Sequence, residues 1–285
     1  MENLLNTIQF VIVLYNESLE DSESFRDISK SLKNLQFRDR VVSLFIYDNS
    51  PKPQTIKSHD IWNITYFHDE NNSGLSVAYN IAAENALENQ KEWLFLLDQD
   101  TEFPQNTIKE YLSAMKNNPE IFMFAPILKV LDGTITSPYR YRLLGRKIAD
   151  KISIGVQSLF KTSPINSGLC VNIRTFFEVG GYNEKVRVDG ADFQFIERFR
   201  LIHKNYFVVD IVGYQNLSLF ETNIDKLIVR YKIFLRDASA SQKLSFLDYP
   251  LSFIHVISRT LKIFLQTKNR IFIYIFFRNY VFNKN

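Results

Sequence analysis

The strongest constraint on this chain is an alternation in its first hundred residues. Short, continuous apolar runs recur: Ile8-Gln9-Phe10-Val11-Ile12-Val13-Leu14, Val41 to Tyr47, Ile64-Thr65-Tyr66-Phe67 and Trp93-Leu94-Phe95-Leu96-Leu97. Runs of this length, bounded by turn-forming residues, read as strands buried on both faces. Between them lie stretches with helical spacing. Residues 21–36 place Phe25, Ile28, Leu32 and Leu35 on one side, and 75–87 place Val77, Ala78, Ile81, Ala82 and Ala86 on one small apolar face. Strand, helix, strand, repeated, specifies βαβ units and an α/β fold with a mostly parallel sheet flanked by helices. In such sheets ligands bind beyond the carboxyl ends of the strands.

That rule gathers the polar residues. The first strand ends at Tyr15-Asn16-Glu17, the second at Asp48-Asn49-Ser50 and the fourth at Asp98-Gln99-Asp100. Each tripeptide alone is a plain turn; three at one sheet edge, two of them with aspartates, read as a site. Asp98 and Asp100 are hard oxygen donors that suit Mg²⁺ or Mn²⁺ beside substrate phosphates. The competing reading of the pair is a cap on a helix beginning near Pro104. No Gly-x-x-x-x-Gly-Lys loop and no G-x-G-x-x-G follows the first strand, which argues against P-loop and dinucleotide chemistry. His59, His68, His203 and His255 are scattered, without zinc spacing. Ser167-Gly168 lacks a nucleophile-elbow context.

From Ala125 the pattern is less regular. Ser163 to Gly168 reads as a loop leading into Leu169-Cys170-Val171, and a helix over 174–179 ends at Gly180-Gly181. Asp189-Gly190-Ala191-Asp192 precedes a helix with Phe193, Ile196 and Phe199 on one face, with Asp192 at its N-cap or in its first turn. Phe207 to Val212 reads as a further strand. No internal repeat or low-complexity linker interrupts the body.

Charge divides the chain. Of 34 basic residues, six (Arg259, Lys262, Lys268, Arg270, Arg278, Lys284) lie after Tyr249, where there is no acid; the remainder carries 28 basic and 31 acidic groups, so the net +3 is a −3 body with a +6 tail. A body of that sign removes the main electrostatic support for nucleic-acid binding. The 25 Phe, 14 Tyr and 2 Trp exclude a disordered chain, and the single Cys170 excludes a disulfide scaffold and agrees with a reducing compartment. The first residues lack the basic and apolar regions of a secretory signal. The longest apolar run, Ile271 to Phe277, falls well short of the roughly 20 residues of a spanning helix. These features predict a protein on the cytoplasmic side. Ile254, Ile257, Leu261, Phe264 and Leu265 recur at helical spacing in the acid-free tail. This predicts a helix in an anionic membrane interface; the alternative is a helical subdomain packed on the body or on a second subunit, a possible homodimer.

Seven segments in order carry a resemblance. They are the first strand with Tyr15-Asn16; Asp48-Asn49-Ser50; Asn72-Ser73-Gly74-Leu75-Ser76-Val77-Ala78-Tyr79-Asn80; Leu96-Leu97-Asp98-Gln99-Asp100-Thr101; Ile165-Asn166-Ser167-Gly168; Val179-Gly180-Gly181-Tyr182; and Val188-Asp189-Gly190-Ala191-Asp192 with Arg198. Over residues 8–222 the chain resembles glycosyltransferase family 2, of the GT-A fold, nearest its bacterial rhamnosyltransferase-like branch. The resemblance implies a GT-A domain over 1–222 and a helical segment over 223–285. It implies that Asp48 reads the nucleotide base beside the Leu14-Tyr15 backbone, and that Asn72, Gly74 and Asn80 line the nucleotide-sugar pocket. Asp98 would face the ribose and Asp100 would hold Mg²⁺ or Mn²⁺, with Asp98 and Gln215 as further candidates for the ion. Ser167, Gly168 and Asp189 would lie on the acceptor side, and Asp192 would be the general base of an inverting transfer. The expected partners are a nucleotide-sugar donor and a lipid-linked saccharide at the inner face of the cell membrane, with no nucleic acid. The branch implies dTDP-rhamnose as donor; UDP-galactose, UDP-glucose or UDP-galactofuranose, or a scaffold without turnover, are the alternatives. Two departures from the family stand out. Gln194 occupies the position of a second acid, and Gln215-Asn216-Leu217-Ser218 replaces an H-x-L-G stretch, with Glu221 close by.

Overall fold

The structure is a computed structural model and describes residues 2–35, 41–142, 145–215 and 223–282. After a short helix α1 (Glu2–Asn6) come β1 (Ile8–Leu14), α2 (Glu23–Lys33), β2 (Val42–Asp48), β3 (Trp62–His68), α3 (Leu75–Glu88), β4 (Trp93–Leu97), β5 (Thr101–Glu102) and α4 (Thr107–Asn117). The middle of the chain supplies β6 (Met123–Lys129), β7 (Ile135–Ser137), β8 (Tyr139–Arg142), β9 (Gly145–Lys147), β10 (Gly155–Ser158), β11 (Thr162–Ser163) and β12 (Cys170–Asn172). Then follow α5 (Ile173–Glu178), α6 (Ala191–Ile202), β13 (Asn205–Gln215), α7 (Ile224–Ala240), α8 (Asp248–Thr267), α9 (Ile271–Ile275) and a π-helical turn (Phe276–Val281).

The main sheet runs β10-β13-β6-β12-β4-β1-β2-β3, with β5 and β7 pairing off this path. The half built from the four apolar runs is parallel, as the alternation requires: β1 lies between β2 and β4, and β2 pairs with β3. The other half is mixed. β12 enters antiparallel between β4 and β6, and β10, β5 and β7 are antiparallel to their neighbours. A mostly parallel sheet therefore describes only one side of the molecule. The short β12 has no crossover helix before it, so a loop return places it antiparallel. A second sheet, β11-β8-β9, occupies the irregular stretch after Ala125.

The two faces of the sheet bury two cores, and the period-2 alternation of β1 assigns its residues to them. Val11 and Val13 join Tyr79, Ala82, Phe176, Phe195 and Phe199 under α3, α5 and α6. Phe10, Ile12 and Leu14 join Phe25, Ile28, Tyr111 and Leu112 under α2 and α4. The small residues Ala78, Ala82, Ala83 and Ala86, all fully buried, let α3 lie close on the sheet. Gln9, the polar exception within β1, donates to the Ala82 carbonyl at 2.8 Å and ties strand to helix.

The expected helix over the tail lies within α8. It forms a third core with α7 and α9, in which Tyr231, Phe234, Val256, Phe272, Ile275 and Phe276 are buried and the Tyr231 and Thr260 hydroxyls meet at 2.6 Å. Its opposite face stays outward, with Ile254, Leu261 and Leu265 at least half exposed. Among the described residues no helix is long and apolar enough to cross a membrane.

Candidate functional site

Register brings the strand ends together. Leu14 stands opposite Asp48, Asp48 opposite His68, and Ile12 opposite Leu97. The carboxyl ends of β1 to β4 therefore lie along one edge of the sheet, whose two sides are built differently.

On one side, carboxylates are saturated with donors. Asp48 is wholly buried; one oxygen accepts the Ser50 N–H at 2.9 Å, and the other accepts Gln54 Nε2 at 3.0 Å and the Tyr66 hydroxyl at 2.8 Å. Burial opposes its ionisation, but these hydrogen bonds outweigh it and hold the carboxyl below the ordinary range. The same bond and burial push the Tyr66 phenol up to about 12. Asp69, one strand further out, repeats the device: it accepts the Asn71 and Ser73 N–H groups at 3.0 and 2.7 Å and the Tyr47 hydroxyl at 2.9 Å, and lies below the ordinary range although burial opposes it. Its turn delivers Asn72 with φ +49° and Gly74 with φ +97°. At Gly74 a side chain has no room, because a Cβ would stand 2.7 Å from the Arg187 carbonyl oxygen; the Leu75 N–H that opens α3 donates to that oxygen at 2.8 Å.

At the end of β4 the balance reverses. Asp98 accepts the Thr101 hydroxyl at 2.6 Å on one oxygen, and the Ser167 hydroxyl and Gln215 Nε2 (3.2 Å) on the other. Burial nevertheless raises its carboxyl above the ordinary range. Asp100 projects to the exposed rim and makes no hydrogen bond to another described residue. Partial desolvation, then the charges of Asp98, Glu17 and Glu23, push it up to about 6. Arg26 offsets part of the charge at Glu17; around Asp100 the acids dominate. Gln99 between them faces the other way, accepting the Tyr15 N–H at 2.8 Å and donating to Glu17, so it fixes the loop after β1. Neither aspartate caps a helix: α4 begins at Thr107 with Asn106 as its cap residue.

Near this edge α6 begins. Gly190, in the left-handed region at φ +85°, is its cap residue, and Asp192 stands in the first turn, accepting the Phe193 N–H at 2.7 Å. Burial first, then the charges of Asp98 and Asp192, push the Tyr79 phenol well up, so both acids lie within electrostatic reach of one buried hydroxyl.

Other predicted residues have structural duties. Asn80 spends its amide on the Gly181-Tyr182 turn, donating to the Tyr182 carbonyl at 2.9 Å and accepting the Tyr182 N–H at 2.8 Å. Ser167 is a partner of Asp98, and Gly168, at φ +75°, leaves no room for a side chain beside Pro126 and Phe103. Asp189 faces Arg230 and Arg259 at 3.3 and 3.7 Å. Gln215 is buried with Oε1 accepting the Thr136 hydroxyl at 3.3 Å, so it presents its nitrogen, not its oxygen, to Asp98. Gln194, where the family has an acid, is buried and accepts Asn183 Nδ2 at 3.0 Å. Asn216 to Ser218 and Glu221 lie outside the described residues. Sequence reasoning missed Asp69, Tyr66, Gln54 and Tyr79; the Asp-x-Asn-x-Ser spacing after β3 was the available signal for Asp69.

The family model for glycosyl transferase family 2 matches residues 9–178, more than half of the chain. The chain belongs to glycosyl transferase family 2. As a member it has a GT-A-like fold, and its similarity to solved structures is one of fold. GalNAc-T7, crystallised with UDP, GalNAc and Mn2+, aligns at 16% identity and TM-score 0.52, covering 75% of this chain and 44% of that one. The S. aureus TarS fragment 1-349 in complex with UDP aligns at 14% and 0.51, covering 90% and 72%. The mannosyltransferase PcManGT from Pyrobaculum calidifontis, in complex with GDP-Man and Mn2+, aligns at 13% and 0.53, covering 88% and 69%. The chain therefore spans under half the length of the first of these. No curated protein matches it in sequence. Neither the family model nor these likenesses specify a rhamnosyltransferase branch.

Among the described residues no group of three or more His, Cys, Asp or Glu is placed to hold a metal. The donor set still fits Mg²⁺ or Mn²⁺: such ions take one or two carboxylates and complete their shell with water and substrate phosphate, and Asp100 is an exposed hard donor among acids.

The raised Asp100 carboxyl has a stability consequence. Its folded pKa, about 6, lies above the unfolded value of about 3.9. The folded state thus binds more protons between those values, and stability falls as pH rises through that window. In metal-free protein, Asp100→Asn should raise Tm at pH 7.5, with the gain vanishing by about pH 4; added Mn²⁺ should raise the Tm of the parent and not of the variant. An equal gain at both pH values would show that the charge is not the cause.

Proposed function

We propose that this chain is an enzyme that transfers a sugar, with inversion, from a nucleotide-sugar donor to a hydroxyl of a lipid-linked saccharide acceptor in bacterial surface polysaccharide synthesis. The observation that carries the reading is the edge where the strands end: Asp48 and Asp69 saturated with donors on one side, the acids Asp98 and Asp100 on the other, and Asp192 within electrostatic reach of the same Tyr79 phenol as Asp98. In this reading Asp48, wholly buried and already holding Ser50, Gln54 and Tyr66, fixes the wall against which the donor's base sits, with the Tyr15 backbone beside it, while Asn72 and Gly74 shape the turn over the diphosphate. Asp98 orients the ribose side. Asp100, with Asp98 near it, holds Mg²⁺ or Mn²⁺, an ion that offsets charge on the departing diphosphate. Gln215 holds Asp98 in place, and Asn80 holds the Tyr182 turn.

Asp192 is the general base. It takes the proton of the acceptor hydroxyl as that oxygen attacks the anomeric carbon in line; the bond from that carbon to the diphosphate oxygen breaks, and the nucleoside diphosphate leaves with the electron pair. Ser167, Gly168 and Asp189 flank the acceptor. The donor we favour is dTDP-rhamnose, on the branch likeness of the seven segments; UDP-galactose, UDP-glucose and UDP-galactofuranose are the competing donors.

The tail supports a membrane-proximal acceptor. Ile254, Ile257, Leu261 and Leu265 line an outward apolar groove with Lys262, and the chain from Tyr249 onward holds no acid. Each basic residue near an anionic surface contributes about 1 kcal/mol, so this face would rest on the inner leaflet.

Three outcomes test these statements. Asp192→Asn should lower kcat by about 10² to 10⁴-fold, the range of a lost general base, with donor affinity retained; full activity would exclude the assignment. A thermal-shift screen of the four nucleotide sugars with Mn²⁺ should show selective stabilisation by one of them; dTDP-rhamnose ranking below a UDP-sugar would reassign the donor. Leu261→Glu with Leu265→Glu should reduce co-sedimentation with phosphatidylserine-containing vesicles at unchanged Tm, and undiminished binding would sink the membrane reading.

A further inference from the structure

The segment that delivers Asp192 is held by a residue far outside the family match. Asp237, in α7, is completely buried. One of its oxygens accepts the Arg187 N–H at 3.2 Å; the other accepts the Val188 and Asp189 N–H groups, each at 2.9 Å. Three successive backbone donors thus converge on one carboxylate, an anion nest with the anion supplied by the protein itself. The opposite edge of the same segment is tied to α3: the Arg187 carbonyl accepts the Leu75 N–H at 2.8 Å, and the Val186 carbonyl accepts the Ser76 hydroxyl at 2.5 Å.

We propose that Asp237 is a positioning residue for the transfer reaction, fixing the 187–189 segment so that α6 starts where Asp192 serves the strand-end site. The inference rests on Asp192 being the base, as proposed above. Burying a carboxylate is costly unless its hydrogen bonds replace water; the Arg236 guanidinium stands 3.9 Å from one oxygen, and the three close bonds all go to backbone. Their effect is to fix main-chain direction. Immediately beyond lies Gly190 at φ +85°, after which α6 begins without a side-chain cap. The direction of 187–189 therefore sets the direction of the helix start. Arg230 and Arg259, from α7 and α8, brace Asp189 from the same side, and the Ala240 carbonyl at the end of α7 accepts Asn183 Nδ2 at 3.2 Å. The C-terminal helices are in this view part of the catalytic framework, whatever their outer face binds.

The test is a double-mutant cycle on the full chain. Asp237→Ala strands three N–H groups, and Asp237→Asn, which keeps one accepting oxygen and the shape, strands fewer. We expect kcat to fall about 100-fold in the first, the size of a 1 Å misplacement, and less in the second, with donor KM and donor-induced thermal shift within twofold of the parent. Hydrogen exchange should rise over 186–192 in the Asn variant, a readout that remains should the Ala variant not fold. In an Asp192→Asn background Asp237→Asn should cost nothing more, since the effect runs through Asp192. Additive losses, a parallel rise in donor KM, or unchanged kcat in a folded Asp237 variant beside an inactive Asp192→Asn would each overturn the positioning role alone. An active Asp192→Asn would instead remove the base assignment and this inference with it.

Discussion

The strand-end site depends on one half-buried carboxylate. Asp98 stands where β4 stops, and its oxygens join the chain's distant parts: Thr101 at the start of β5, Ser167 before β12 and Gln215 at the end of β13. Those partners fix the edge along which β5 pairs with β13. Burial alone makes ionised Asp98 unfavourable, and three hydrogen bonds offset the penalty only in part. What remains is a site poised to gain from any positive charge placed nearby. Asp100, raised by the same neighbourhood, leans the same way. The two sides of the site thus differ in kind. Asp48 and Asp69 are satisfied by the protein and serve as fixed acceptors; Asp98 and Asp100 are left wanting, which suits a group that arrives with the substrate.

This polarity was legible in the sequence to the extent that it depends on strand ends. A parallel sheet aligns its carboxyl ends, so Asp48 and the Asp98-Gln99-Asp100 turn had to meet once the four apolar runs were read as strands. The antiparallel β12 was not legible, because three residues after an irregular loop carry no periodicity that fixes direction. Asp69 escaped for a different reason: it sits in a stretch of turn formers where one more acid adds no contrast. Tyr66 and Gln54 reach Asp48 across a strand and a loop, and no spacing rule predicts that. Gln215 shows the limit of reading by substitution. Its place in the family pattern suggested a weak metal ligand, while its orientation makes it a donor to Asp98.

The tail was read from its charge as a surface element and from its aromatic spacing as a packing element, and both faces are present. The inner face, with Tyr231, Phe234 and Phe272, closes a small core of its own; the outer face leaves Ile254 and Leu265 open. Lone charges can be read from composition, but pairing cannot. Arg259 counted toward the basic tail, yet it turns inward, 4.0 Å over the Phe234 ring and beside Asp189. It is therefore spent on the body and subtracts from whatever charge an anionic surface meets.

That inward turn links the tail to the chemistry. A helical pair that rests on a membrane by one face, and by the other holds Asp189 and the 187–189 backbone, cannot be moved without moving the start of α6. Surface binding and base placement would then share one rigid element, and an acceptor presented from the bilayer would meet Asp192 at a height set by α7 and α8. In the proposed reaction the division of labour would follow from the sheet: its parallel half, with fixed register, would provide the donor side, while the acceptor side would be assembled from loops and helices held by contacts such as those of Asp237.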